Sequence, residues 1–198
     1  MNKHEMIRKA CAFGVLAIAV FVVIRYSWLT GTGEIQPVFA TWLFICLGCS
    51  ISLWTYWSTK KHSIIGNIGN AVDFVGNWII FIVVVLLGHG VRFAPNLFEV
   101  ACLVGVVVIF VLWRFSHWHV ASNFGLQIIM TIAYLPMIYH LWYATTNTEP
   151  FTAWGVTWVA IMLSFIPAIM DRDLLAFVYN MRRFVLISTT LVLMYRLT

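Results

Sequence analysis

The chain has 198 residues, of which 62% are hydrophobic and only 10% charged, and its formal net charge is +5. A mean hydropathy of +0.92 excludes a water-soluble surface, and the apolar segments leave no room for a separate soluble catalytic domain. We interpret the positive charge as the cytoplasmic bias of a membrane protein and not as a nucleic-acid-binding surface.

Apolar runs bounded by charged residues, Gly, Pro or Asn predict seven transmembrane helices, each long enough to cross a bilayer. In chain order they are Ile7–Leu29, Pro37–Trp57, Ile64–Leu87, Leu97–Phe115, Val120–Tyr143, Phe151–Met170 and Leu174–Leu197. We interpret the first as a retained helix and not as a cleaved signal peptide. The distribution of Lys and Arg places the N-terminus in the cytoplasm and the C-terminus outside, in a membrane such as a bacterial inner membrane. Pro136 and Pro167 are expected to kink their helices.

Two parts of the chain resemble each other and predict an internal repeat. Residues 36–40 (Gln-Pro-Val-Phe-Ala) open the second helix, and residues 149–153 (Glu-Pro-Phe-Thr-Ala) open the sixth, about 113 positions later. The third and seventh helices each carry an early asparagine, Asn70 and Asn180, about 110 positions apart. The repeat predicts an all-α integral membrane protein with a 3+1+3 arrangement. Two parallel three-helix bundles, residues 1–88 and 119–198, are joined by a linker helix in residues 89–118.

Three motifs in the second half resemble the SWEET, half-SWEET and PQ-loop transporters. Residues 133–142 (Ala-Tyr-Leu-Pro-Met-Ile-Tyr-His-Leu-Trp) are similar to the PQ-loop signature, and the similarity continues at Thr157-Trp158 and at Val178-Tyr179-Asn180. Met137 departs from the signature, because a Gln is expected there, and the first predicted helix has no proline.

In the first half, Leu53-Trp54 followed by Asn70 resembles the Trp and Asn of half-SWEETs that contact sugar. The cytoplasmic N-terminus is similar to that of the bacterial Pnu-type vitamin transporters, which carry nicotinamide riboside. The resemblance implies a SWEET-like facilitator that moves a small neutral polar solute, such as a sugar or a nucleoside-like vitamin, by alternating access. We expect no cofactor, no metal ion and no enzymatic activity. The partners are the lipid bilayer and the solute, and a homo-oligomer is compatible with the sequence.

The third predicted helix carries a polar stripe in which Asn70, Asp73 and Asn77 lie within roughly 60° of one another. Polar groups at this depth must face protein or a water-filled cavity. Asp73 lies near the bilayer midplane, and the repeat relates it to Arg183 on the seventh helix. We therefore expect an ion pair between Asp73 and Arg183 that lines or gates a central cavity. A purely structural bridge without substrate contact remains an alternative.

The candidate substrate-binding residues combine aromatic faces, which stack on rings, with amides and charges, which form hydrogen bonds. They are Trp54, Asn70, Asp73, Asn77, Trp158, Asn180 and Arg183. Packing or anchoring at the membrane interface is the alternative for each Trp, since the chain contains ten of them.

Three other classes of protein compete with this interpretation. A retinal protein needs a lysine on its last helix, and Leu174–Leu197 contains none. A membrane enzyme is disfavoured because the local histidine pair, His117 and His119, does not share a helix face. A PQ-loop-type receptor or scaffold that binds a ligand without transport remains an alternative.

Overall fold

The computed structural model describes residues 3–57, 65, 67–88, 96–115 and 119–198, and within them all regular secondary structure is helical. The helices are α1 (Lys3–Thr32), α2 (Phe39–Trp57), α3 (Ile68–Leu87), α4 (Leu97–Phe115), α5 (His119–Ile132), α6 (Leu135–Tyr143), α7 (Phe151–Met170) and α8 (Leu174–Arg196). The predicted all-helical class is confirmed, and the predicted bounds of α4 and α7 agree with the structure at both ends.

Several helices have the length and composition needed to cross a membrane. In the described part of the chain, α1, α3, α7 and α8 combine at least 18 residues with an apolar window of sufficient hydropathy. α2 and α4 contain shorter apolar stretches, 39–54 and 97–108. Large apolar side chains such as Phe13, Leu86 and Val192 are exposed on the outside of the bundle. Such a surface suits lipid, so the fold is that of a membrane-associated helical protein.

The segment predicted as one helix, Val120–Tyr143, is in fact two helices, α5 and α6, separated by Ala133 and Tyr134. The prediction of one continuous helix was wrong here, whereas the interruption lies where Pro136 was expected to disturb the helix. Pro136 has no amide N–H, and its ring would clash with the carbonyl group of Ile132, the residue at which α5 ends. Pro167 remains inside α7, which continues to Met170.

The helices pack in a pattern that is the same in both halves of the chain. α3 packs against both α1 and α2, and α8 packs against α7 and against the α5–α6 pair. Between the halves, α1 packs along α7, and α2 packs against α5 and α6. α3 and α8 also touch each other, while α4 packs on α5 and α6. α3 therefore lies against α1 and α2, and α8 lies against α7 and the α5–α6 pair, with a small contact between α3 and α8.

The two ends of the bundle are named here by the acidic residues next to α7. At the Glu149 end, the turns that precede α2 and α7 meet, because the Gln36 N–H donates to the Thr148 carbonyl group at 3.4 Å. At the Asp171 end, Arg8 of α1 forms a salt bridge with Asp171 at 2.7 Å. Residues from both halves of the chain therefore contact each other at each end.

Candidate functional site

A cavity lies between α1, α3 and α7, and α2, α8 and the break between α5 and α6 complete its wall. It contains about 700 Å³ of space free of protein atoms, a volume that includes its mouth. α1 contributes an apolar wall, and the polar and aromatic lining consists of Tyr26, Trp42, Asp73, Asn77, Tyr134, Trp154, Thr157 and Arg183. The combination of an apolar wall with a few polar groups is typical of a binding site.

The ion pair predicted from the repeat is present in the wall of this cavity. Arg183 Nη2 lies 2.8 Å from Asp73 Oδ1, and both side chains are largely buried. The Tyr179 hydroxyl donates to Asp73 Oδ2 at 2.6 Å, so each oxygen of the carboxylate has a donor. Tyr179 was missed as a partner, although it lies in the motif next to Asn180. Complete pairing of the carboxylate offsets the cost of burying its charge.

The guanidinium group of Arg183 lies directly against Gly69, which has no side chain. A Cβ atom at Gly69 would lie 3.0 Å from Arg183 Nη1, 3.2 Å from Asn180 Oδ1 and 3.3 Å from Ser164 Oγ. Within the described residues, Arg183 Nη1 and Nε have no hydrogen-bond partner, and neither has Asn180 Oδ1. The absence of a side chain at residue 69 therefore allows α3 to approach α7 and α8 closely.

We expect Gly69→Ala to destabilise the protein by about 1–3 kcal/mol, because a methyl group would push Arg183 and Asn180 out of place. The control is Gly155→Ala in α7, where an added Cβ meets no atom within 4 Å. Alanine favours a helix over glycine by up to about 1 kcal/mol, so the control should be neutral or stabilising. Thermal unfolding of both variants in detergent measures the difference, and equal melting temperatures would contradict the close packing at Gly69.

The two predicted asparagines form hydrogen bonds between neighbouring helices. Asn70 Nδ2 donates to Ser52 Oγ at 3.0 Å, which connects α3 to α2. Asn180 Nδ2 donates to the Ser164 carbonyl group at 3.1 Å, which connects α8 to α7. Neither asparagine is in the cavity lining; both lie on the Asp171 side of the ion pair. Their position suits a structural role beneath the cavity.

Asn77 lies in the cavity lining, whereas the two predicted tryptophans do not. Trp54 is on α2 with 77% of its surface exposed. It lies about 180° around the helix from the lining residue Ile45, nine residues earlier. Trp158 Nε1 donates to Ser188 Oγ at 3.0 Å, between α7 and α8. The structure therefore places both tryptophans away from the cavity that they were predicted to line.

A cluster of aromatic residues that sequence reasoning missed forms the part of the cavity wall at the Glu149 end. The Tyr26 hydroxyl donates to Glu149 Oε2 at 2.8 Å, and Trp154 Nε1 donates to the same oxygen at 3.0 Å. Trp42 Nε1 donates to the Tyr26 hydroxyl at 3.2 Å, and the Tyr26 and Trp42 rings meet edge to face at 4.8 Å. Trp42 and Trp154 closely follow the repeated segments 36–40 and 149–153, but the 113-residue spacing of the repeat relates Trp42 to Gly155 and not to Trp154.

Glu149 is buried at the start of α7, outside the helix itself, with only 4% of its surface exposed. Burial raises the pKa of its carboxyl group to about 7 from an ordinary value of 4.5, although the hydrogen bonds from Trp154 and Tyr26 act in the opposite direction. The group is thus poised to change its charge near neutral pH.

No protein-family model matches the sequence, and no curated protein matches it either. The function is therefore inferred from the cavity itself.

Proposed function

We propose that the chain is a membrane transporter of the SWEET-like, PQ-loop class. It acts as a facilitator that moves a small neutral polar solute, such as a sugar or a nucleoside-like vitamin, by alternating access. The moving parts are two parallel three-helix bundles in residues 1–88 and 119–198, joined by a linker in residues 89–118. The observation that carries the proposal is the cavity between the halves of the chain, with the Asp73–Arg183 pair in its wall.

The repeated helix packing supports the two bundles. The third helix of each proposed bundle, α3 or α8, packs against the other two. The first helix of each bundle also packs against the second helix of the other: α1 on α7, and α5–α6 on α2. In the proposed parallel repeat, a twofold axis along the membrane normal would relate these two contacts to each other. Two unrelated three-helix bundles would not be expected to form such a reciprocal pair of contacts.

Hydrogen bonds inside each proposed bundle also follow the repeat. The Asn70–Ser52 and Asn180–Ser164 bonds join the second and third helices in each half. Trp78 Nε1 of α3 donates to Ser50 Oγ of α2 at 3.1 Å. In the second half, the Trp158–Ser188 bond joins α7 and α8, with the serine and tryptophan exchanged between the helices. Ser188 lies about 110 positions after Trp78, the same spacing that relates Asn70 to Asn180.

Alternating access requires contacts between the bundles that can break at one end while the other end stays closed. The Glu149 end has the bond from Tyr26 of α1 to Glu149. The Asp171 end has the Arg8–Asp171 salt bridge and a bond from the Tyr56 hydroxyl to Asp173 Oδ2 at 3.1 Å. The side chains of Arg8 and Asp171 are 23% and 20% exposed, so water reaches this contact and could hydrate both charges when it breaks.

The lining of the cavity suits a neutral solute that contains a ring. Trp42 and Trp154 offer flat aromatic faces, and Asn77 and Thr157 offer hydrogen-bonding groups. The charge of Asp73 is already balanced by Arg183, so this pair presents little net charge to a ligand.

The proposal is tested in two steps with purified protein. A thermal-shift screen against sugars, nucleosides and vitamins identifies ligands, because a compound at 100 times its dissociation constant adds about 2.7 kcal/mol of stability. Uptake of each labelled ligand into proteoliposomes then measures transport. Uptake along the solute gradient supports a facilitator. Binding without uptake would indicate the receptor or scaffold, and the absence of binding across the whole screen would overturn the proposal.

A further inference from the structure

We propose that Glu149 is a proton-binding site, and that the Glu149 end of the cavity opens with release of this proton to the surrounding water. The proton is thus a second ligand of the protein, beyond the neutral solute. The inference rests on the proposed alternating access only for the existence of an opening step. The proton site itself can be tested without any solute.

The position of Glu149 connects its protonation state to the contact between the halves of the chain. Its Oε2 atom accepts hydrogen bonds from Tyr26 on α1 and from Trp154 on α7. Both donors lie in the cavity wall, and Trp42 of α2 bonds to Tyr26 behind them. Separation of α1 from the start of α7 would break the bond from Tyr26 and expose the carboxyl group to water. Opening and hydration of Glu149 are therefore one event.

The surroundings of Glu149 favour a neutral carboxyl group when this end is closed. Its second oxygen, Oε1, is buried and has no hydrogen-bond partner in the described part of the chain. Burial is the largest influence on its pKa, and no lysine or arginine within the described residues contributes to the shift. A buried carboxylate without a cation is costly, whereas a buried neutral acid is much less so.

The other titratable and charged groups at this end form hydrogen bonds, are exposed or lie in the cavity wall. Glu34 accepts a hydrogen bond from Thr32, and Arg196 of α8 donates to the carbonyl groups of Leu141 and Trp142. Arg25, His140, Tyr139, Tyr143 and Tyr195 are exposed, and Tyr134 is buried in the cavity wall. Glu99, at the start of α4, accepts a hydrogen bond from the Asn96 N–H at 2.8 Å. The side chains that α2 and α7 contribute to the hydrogen bonds around Glu149 are Trp42 and Trp154, which do not titrate. His89 and Arg92 lie outside the described residues and are therefore included in the test as substitutions.

The sign of the pH effect follows from the two environments of the carboxyl group. In the closed state its pKa is about 7, and in an open, hydrated state the pKa returns toward 4.5. The closed state therefore binds the proton more tightly, and acid favours closure. Between these two values the opening equilibrium should rise about tenfold for each pH unit, and above about pH 7 it should level off. On opening, the carboxyl O–H bond breaks and water accepts the proton; on closing, one proton is taken up.

The first measurement follows the proton directly. Infrared difference spectra should show the C=O stretch of a protonated carboxylic acid that disappears near pH 7 in the unmodified protein and is missing in Glu149→Gln. Tyr26→Phe removes a hydrogen bond that lowers the pKa of Glu149, so it should move the titration to higher pH. A purely structural role for Tyr26 would not move it. The absence of any carboxyl group that titrates near neutral pH would overturn the proposal.

The second measurement follows the opening. A cysteine introduced in the cavity wall by Thr157→Cys is labelled with a membrane-impermeant maleimide, after the four native cysteines are replaced by alanine. Labelling rates are divided by those of Thr198→Cys, an exposed position that corrects for thiol ionisation. The normalised rate should rise about tenfold per pH unit from pH 5 to 7. It should stay low and constant when Glu149→Gln is added.

Two outcomes of the labelling experiment would overturn the proposal. One is an unchanged pH dependence in the Glu149→Gln background, and the other is loss of the pH dependence in His89→Gln or Arg92→Gln. Circular dichroism confirms that each variant is folded, and the infrared titration of the unmodified protein needs no variant. If Glu149 titrates near pH 7 but the solute screen finds no ligand, the proton site stands and the proposed transport fails.

Discussion

Arg183→Met is expected to lower the free energy of unfolding by about 3–5 kcal/mol. The substitution leaves the buried carboxylate of Asp73 with the Tyr179 hydroxyl but without its countercharge. Removal of one partner of a buried ion pair is costly because the remaining charge keeps its desolvation penalty. Thermal or denaturant-induced unfolding in detergent measures the loss, and restoration of stability by adding Asp73→Asn would show that the unpaired charge is its cause.

The neighbouring arginine is a matched control for this prediction. The guanidinium group of Arg182 lies 4.9 Å from the Tyr179 ring centre, and its nitrogen atoms are buried without a hydrogen-bond partner among the described residues. Arg182→Met would lose a cation–π contact of about 0.5–2 kcal/mol but would also remove a poorly compensated charge. We expect a net change of no more than about 1 kcal/mol. If the two methionine variants are equally destabilised, the Asp73–Arg183 pair contributes no more to the free energy of unfolding than Arg182 does.

Ala19→Phe is expected to reduce solute uptake at least tenfold. Ala19 lines the cavity, and a phenyl ring at this position would fill the space in which the solute is proposed to bind. Val20→Phe is the matched control, since the next residue of α1 is exposed on the outside of the bundle and faces away from the cavity. Uptake into proteoliposomes and the thermal shift by the same ligand are measured for both. Equal uptake by the two variants would place the transport path elsewhere.

The sequence was sufficient to predict the helices and the central ion pair. Apolar runs bounded by polar residues define helices well because a bilayer imposes one length on every span. The Asp73–Arg183 pair was predicted from the hypothesis that residues related by a repeat approach each other near a twofold axis, and the ion pair is present in the structure. The prediction of this ion pair required only the spacing between Asn70 and Asn180, and not the knowledge of which helices are in contact.

The remaining site residues were not predictable in the same way. Trp54 was selected by a two-residue resemblance, which does not specify the face of the helix, and in the structure it points away from the cavity. The bond between Tyr26 and Glu149 spans 123 residues and depends on how α1 packs along α7. Ten tryptophans offer too many candidates for Trp42 and Trp154 to be selected without that packing.

The break at Ala133 and Tyr134 makes the halves of the molecule mechanically unequal. α1 is an uninterrupted rod of 30 residues, whereas its counterpart is divided into α5 and the short α6. In the proposed alternating access, bending would concentrate at this joint, and α6 would move relative to α5. The stacked rings of Tyr139 on α6 and Phe98 on α4, 4.5 Å apart, would separate in that movement. In the proposed two-bundle transporter, the first bundle would therefore begin with a stiff helix and the second with a jointed one.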